Sequence, residues 1–234
     1  MALPVMNLPK YSATVPSTGQ HIKYRPFVVS EEKVMLTALE GGDQKEIVGA
    51  VLDIIESCIL TEGIDIRNLP TFDIEKIFLK IRAKSVGEKI EMRARHTNDD
   101  GECEHRTDVL VPLDKIKVTG EISDGKIELT DTIGIKLKYP SFETTYGVGK
   151  LGVVEAYDII YDSIEYVWDA NDVYKDFTKD EMSDWVGQLN KSQFKKIMDF
   201  LETIPKLTYE IKWKCEKCGK RDKVAVEGLT SFFT

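Results

Sequence analysis

Two stretches of this chain follow one plan of strand, ligand-bearing turn and strand. Glu91-Met92-Arg93-Ala94-Arg95-His96 matches Glu210-Ile211-Lys212-Trp213-Lys214-Cys215, and the run from Cys103 to Val111 matches the run from Cys218 to Val226. The second copy is compact, with Cys215-x-x-Cys218. The first carries an insert, Thr97 to Glu102, between His96 and Cys103. A structural Zn²⁺ takes four thiolate or imidazole ligands in a tetrahedron, and each turn offers two. The pattern predicts a two-knuckle zinc ribbon with His96, Cys103, Cys215 and Cys218 as ligands of a closed, structural metal site. His105 is the alternative to His96, because Cys103-x-His105 is also a compact pair. The repeat favours His96, since His105 falls opposite Lys220. Such a site clamps residues near 100 to residues near 216 and makes the helices between them an insertion.

The rest of the pattern is mixed. Residues 9–27 read as a β-hairpin around Pro16-Ser17-Thr18-Gly19. Ser30 reads as a helix N-cap followed by Glu31 and Glu32. Apolar residues at helical spacing then predict helices over about 31–41, 44–60 and 72–85. Residues 88–138 alternate in short runs and read as antiparallel β structure. Further helices are expected over 151–168, with Val154, Tyr157, Ile160, Ile164 and Trp168 on the apolar face, from a Thr178–Glu181 capping box to Leu189, and over 191–203. Residues 207–214 and 222–227 read as a closing hairpin. The fold class is α+β. Its expected parts are a hairpin and helical region at 1–87, the first ribbon half and β region at 88–140, a helical insertion at 141–206 and the second ribbon half at 207–234.

Composition narrows the function. The 234 residues carry a net charge of -8, which disfavours a polyphosphate as the default partner. The C-terminal cations Lys214, Lys217, Lys220, Arg221 and Lys223 read as solvated strand faces. No apolar run approaches the ~20 residues of a membrane span. The N-terminus lacks a basic start followed by an apolar stretch, so no signal peptide is read and folding in a cytoplasm is expected. Cysteines there point to metal or buried thiols rather than disulfides. Cys58, beside Ile54 and Ile55, reads as a buried thiol outside the site. Gly147-Val148-Gly149-Lys150-Leu151-Gly152 is a literal G-x-G-x-x-G without the parallel strand a dinucleotide site needs, and reads as a loop. Ala83-Lys84-Ser85 reads as a helix end, and Asn98-Asp99-Asp100-Gly101 as a turn. No nucleophile elbow or metalloprotease helix is present. No catalytic residue, small-molecule substrate or cofactor other than zinc is expected.

Several longer motifs are distinctive. They are Leu8-Pro9-Lys10-Tyr11, Val15-Pro16-Ser17-Thr18-Gly19, Tyr24-Arg25-Pro26-Phe27-Val28-Val29, Leu69-Pro70-Thr71-Phe72-Asp73-Ile74-Glu75, and Phe78-Leu79-x-x-Arg82-x-Lys84-Ser85-Val86-Gly87-Glu88. Together they resemble the T4-type bacteriophage baseplate protein family, most clearly over residues 8–90. The resemblance implies a contractile-tail baseplate role, as a hub component or a hub assembly factor, working through other baseplate or hub proteins. It implies assembly in the host cytoplasm, a place in the virion tail baseplate, and no catalytic residues. In that family the ribbon carries paired cysteines; here His96 stands at one such position, and Thr97 to Glu102 is an insert. The segment Arg25-Pro26-Phe27 and the helices after it are the expected contact surface. Two other roles are weighed: a transient hub assembly chaperone absent from the mature virion, and a zinc-ribbon nucleic-acid-binding protein.

Overall fold

The first strands form around a turn that only glycine closes comfortably. β1 (Tyr11–Thr14) pairs antiparallel with β2 (His21–Tyr24), and Ile22 and Tyr24 point into the core while His21 and Lys23 face out. Between them the Val15 N–H donates to Gln20 O at 2.9 Å and the Gly19 N–H to Val15 O at 2.9 Å, with Gly19 at φ 70°. The structure is a computed structural model that describes residues 6–95, 103, 105–146 and 153–228.

Three helices follow. In α1 (Val29–Gly41) the helix begins one residue before the expected Ser30 cap. The start is fixed by Glu31, whose carboxylate accepts the Val28 N–H at 2.8 Å and pairs with Arg25 at 2.7 Å. In α2 (Gln44–Cys58) the Asp43 side chain accepts the Lys45 and Glu46 N–H groups, a conventional N-cap. α3 (Thr71–Ser85) is buried almost all round: Phe72, Ile74, Ile77, Phe78, Leu79 and Ile81 are each 2% exposed or less. A helix apolar on so many sides belongs in the middle of a core.

α3 also carries the fully buried Asp73, whose carboxylate accepts the Ser17 N–H at 2.9 Å and the Ser17 hydroxyl. This bond ties the first turn to the central helix. Asp73→Ala is expected to cost about 1–3 kcal/mol, because two part-buried Ser17 donors lose their acceptor. Burial pushes the Asp73 carboxyl above its ordinary value, against the lowering effect of Ser17. The folded state therefore holds this proton more tightly than the unfolded chain. Its contribution to stability is full below the ordinary carboxylate value and is lost as pH rises through the raised one. Denaturant titrations of the parent and Asp73→Asn across that window check this, since the asparagine removes the dependence.

The remaining elements build two small sheets, a separate hairpin and a second core. β3 (Lys89–Arg95) and β4 (Arg106–Pro112) form an antiparallel hairpin, followed by β5 (Lys117–Thr119). Then come β6 (Lys126–Glu128), β7 (Gly134–Leu137), α4 (Phe142–Tyr146), α5 (Val153–Asp162), β8 (Ile164–Trp168), β9 (Val173–Tyr174), α6 (Lys179–Val186) and α7 (Lys191–Glu202). The described chain closes with β10 (Lys206–Lys214) and β11 (Arg221–Glu227). One sheet has the order β11-β10-β5, another β6-β7-β8-β9. Ile90, Val111, Ile116, Leu207, Ile211 and Trp213 join α2 and α3 in the first core. Leu137, Ile164, Met182, Val186 and Ile197 belong to a second. Tyr139 links the two, edge-on to Phe72 at 5.3 Å and stacked on Phe200 at 5.1 Å.

The fold is α+β, with one marked departure from the sequence pattern. The helix expected over 151–168 ends at Asp162, and Ile164 to Trp168 form a strand paired with β7. Ser163 makes the break. It is fully buried, its hydroxyl donates to Ile159 O at 2.7 Å, and its own carbonyl accepts the Lys138 N–H at 2.8 Å. The run Ile164-Glu165-Tyr166-Val167-Trp168 is β-branched and aromatic at most positions, which favours a strand. Gly134 in β7 lies against the Trp168 indole, where a Cβ would come within 2.0 Å of the ring. β6 and β7 thus share a sheet with residues from the middle of the chain rather than with β3 and β4.

Candidate metal centre

The turn after β10 is built like the first turn of the chain. The Cys215 N–H donates to Lys220 O at 2.8 Å, the Gly219 N–H donates to Cys215 O at 2.9 Å, and Gly219 sits at φ 74°. This places Cys215 and Cys218 on one small loop. The hairpin β3–β4 brings Cys103 to the same place, because β4 packs beside β10. The Cys103 and Cys215 sulfurs are 3.7 Å apart, and all three Sγ atoms, with that of Cys218, lie within 4.8 Å of one another. Cys103 and Cys215 are buried and Cys218 is exposed.

The chemistry of this set suits a thiophilic cation. With metal–sulfur bonds of about 2.3 Å, two sulfurs of a tetrahedral zinc stand about 3.8 Å apart. The Cys103–Cys215 separation of 3.7 Å matches that edge and is far beyond a disulfide bond. The Cys218 backbone N–H, assisted by that of Lys217 and by the Cys218 and Cys103 thiols, holds Cys215 down at about 7 against the opposing effect of burial. The thiolate that binds metal is therefore already favoured there. The Lys220 N–H would lower Cys218, but burial and the two neighbouring sulfurs outweigh it and raise that thiol.

Of the four expected ligands, with His105 as the alternative to His96, the structure brings Cys103, Cys215 and Cys218 together. His96 lies outside the described residues. His105 stands beside the knuckle: its Nε2 is buried, has no hydrogen-bond partner among the described residues, and is 3.9 Å from the Glu216 carboxylate. Cys58 is apart from the site. Burial pushes its thiol up to about 12, with Glu31 raising it further and Arg25 opposing. The glycine run 147–152 and the Asn98–Gly101 turn fall outside the described residues. Ala83-Lys84-Ser85 closes α3, where the Ser85 hydroxyl accepts the Phe27 N–H at 2.9 Å and Lys84 pairs with Glu88.

A family model described as T4 bacteriophage base plate protein matches residues 8–234. The chain belongs to that family. No curated protein and no solved structure matches it at a significant level. As a phage baseplate protein it acts in a multi-protein structure, and membership of a structural family supports a non-catalytic role with other baseplate proteins as partners. Among the described residues no helix is long and apolar enough to cross a membrane.

A baseplate protein needs contact surfaces, and of the expected one, Arg25-Pro26-Phe27 and the helices after it, Phe27 is not exposed. Phe27 is 7% exposed and belongs to the first core, so its aromatic ring builds the fold. The helix that follows, part of the same expected surface, carries exposed apolar residues. α1 buries only Ala38, while Val29, Leu36 and Leu39 are 81%, 51% and 42% exposed. Their spacing of seven and then three residues places them on one stripe of the helix. The spacing was available in the sequence, but it looks the same whether the stripe faces the core or solvent.

Proposed function

We propose that this chain is a subunit of the baseplate hub that works through protein–protein contacts, with the apolar stripe of α1 as a principal contact. The observation that carries the reading is that stripe in a chain of the baseplate family. Leu36 and Leu39 are large apolar side chains half in water on a helix that gives almost nothing to its own core.

In the same reading a zinc ion is held by Cys103, Cys215, Cys218 and one histidine, His96 or His105, and the two hairpins form a zinc ribbon. The ion's role is structural: it would join the β3–β4 hairpin to the β10–β11 turn across the residues that form the second core. The chain's own contribution is the pair of backbone N–H groups that favour the Cys215 thiolate and the burial of two of the three sulfurs. The division of the chain follows from this clamp, with a ribbon in two halves and an inserted unit between them.

The test is an infection with phage unable to make this chain. Capsids and baseplate parts should accumulate without completed tails, and supplying the chain in trans should restore them. Normal tails in its absence would end the hub reading.

A further inference from the structure

The sheet β11-β10-β5 has two unlike faces. Leu207, Ile211 and Trp213 point into the first core. The opposite face is open to water and collects cations: Lys206, Lys212 and Lys214 on β10, Arg221 and Lys223 on β11, and Lys117 on β5, all exposed. The strand register sets Lys212 directly opposite Lys223 and Lys214 directly opposite Arg221. Like charges in opposed positions of an antiparallel pair are destabilising. Two carboxylates offset them in part. Glu210 lies 2.8 Å from Lys212 and 3.1 Å from Lys223, and Glu227 lies 3.7 Å from Lys206. Cations still dominate this face, in a chain whose net charge is -8.

Lysines commonly guard an exposed edge strand against pairing with other chains. Edge guarding explains single cations, since over residues 209–214 β10 pairs only with β11 among the described residues, but it does not call for cations set directly opposite one another, as Lys212 and Lys223, and Lys214 and Arg221, are. Solubility does not account for it either, since the rest of the chain is already strongly acidic. Opposed like charges across β10 and β11 work against the isolated fold, and an acidic partner would relieve them.

We infer that this cationic face docks an acidic surface or segment of a partner protein. The inference gives a partner class to the contact role proposed above and rests on it. Nucleic acid fits the face less well. Trp213 is turned into the core, and the outward neighbours Thr119, Thr208 and Ala225 offer no ring on which bases could stack. Glu210 and Glu227 stand among the cations, where a continuous phosphate backbone would meet them. A protein surface can place its own cations opposite those two carboxylates, giving the charge complementarity that steers and orients association.

The probe is a fluorescent oligoglutamate peptide, read by anisotropy against the full chain, with a DNA duplex and a DNA single strand in parallel. The peptide should bind at low salt and lose about tenfold or more in affinity as salt approaches ~150 mM. Lys214→Gln with Arg221→Gln should weaken binding about tenfold. Because these residues border the metal turn, Lys212→Gln with Lys223→Gln serves as a second variant. It should weaken binding similarly while melting close to the parent, since relief of the like-charge pair offsets the loss of two exposed ion pairs to Glu210. Absence of peptide binding at low salt, unchanged affinity in both variants, or tighter binding of either DNA than of the peptide would overturn the inference. The peptide result is read without any baseplate, so failure of the hub reading leaves it distinguishable.

Discussion

Exchanging Cys215 for serine, or treating the protein with a strong chelator, is expected to loosen the packing of both hairpins and lower stability by several kcal/mol. Structural zinc in small domains contributes apparent free energies of about 10–16 kcal/mol, because the unfolded chain has no preformed site. Here the first core holds much of the chain independently through α2 and α3, so the expected loss is a fraction of that. Thermal melts with and without chelator, with Cys58→Ser as a control for a buried thiol remote from the site, measure it. The purified chain should carry one zinc, and cobalt in its place should give a thiolate charge-transfer band that weakens in Cys215→Ser.

Acid has a defined direction at the same place. Cys215 is held below its ordinary value of 9.0, at about 7. The stabilisation its thiolate receives from the knuckle N–H groups is full above the unfolded value and is lost as pH falls through the folded one. Metal affinity falls in the same direction, because protons compete for the sulfur. Zinc affinity should therefore fall as pH drops below about 7, with release following at lower pH, where protons outcompete the metal.

Replacing Leu36 and Leu39 by aspartate is expected to remove the chain from assembled baseplates while leaving it folded. Both side chains are half exposed in the free chain, so the substitutions cost the fold little, within about 0.5 kcal/mol each. In an interface they would be buried apolar anchors, and losing a pair of such anchors costs about 4 kcal/mol or more. That is roughly a thousandfold in affinity. Phage complemented with the double variant should yield no completed tails, although the purified variant melts with the parent. A variant incorporated at parental levels would show that α1 is not a contact.

The parts legible in sequence are those in which one local signal decides the outcome. Ile74, Ile77, Phe78 and Ile81 specify a helix and its buried face together. The Cys215-Glu216-Lys217-Cys218-Gly219 turn fixes its own geometry through the glycine at positive φ, so three sulfurs meet where the repeated pattern put them. Legibility ends where two periods fit the same residues. From Tyr157 to Trp168 the apolar spacing suits a helix, and only the buried Ser163, bonded both back to Ile159 and across to Lys138, turns the chain into a strand. Phe27 and Leu36 could not be told apart for a related reason. Each is a large apolar residue near the same helix, and sequence carries no sign of which one the core has room for. The core takes Phe27, beside Ser85, and leaves Leu36 in water. The cationic pairs on β10 and β11 depend on register, which exists only once the strands have met.

The most direct test of the hub account is quantitative mass spectrometry of purified mature particles beside infected-cell lysate. The account predicts a fixed copy number of this chain in every particle. Abundance in the lysate with none in particles would contradict it, and would make the chain a transient assembly factor.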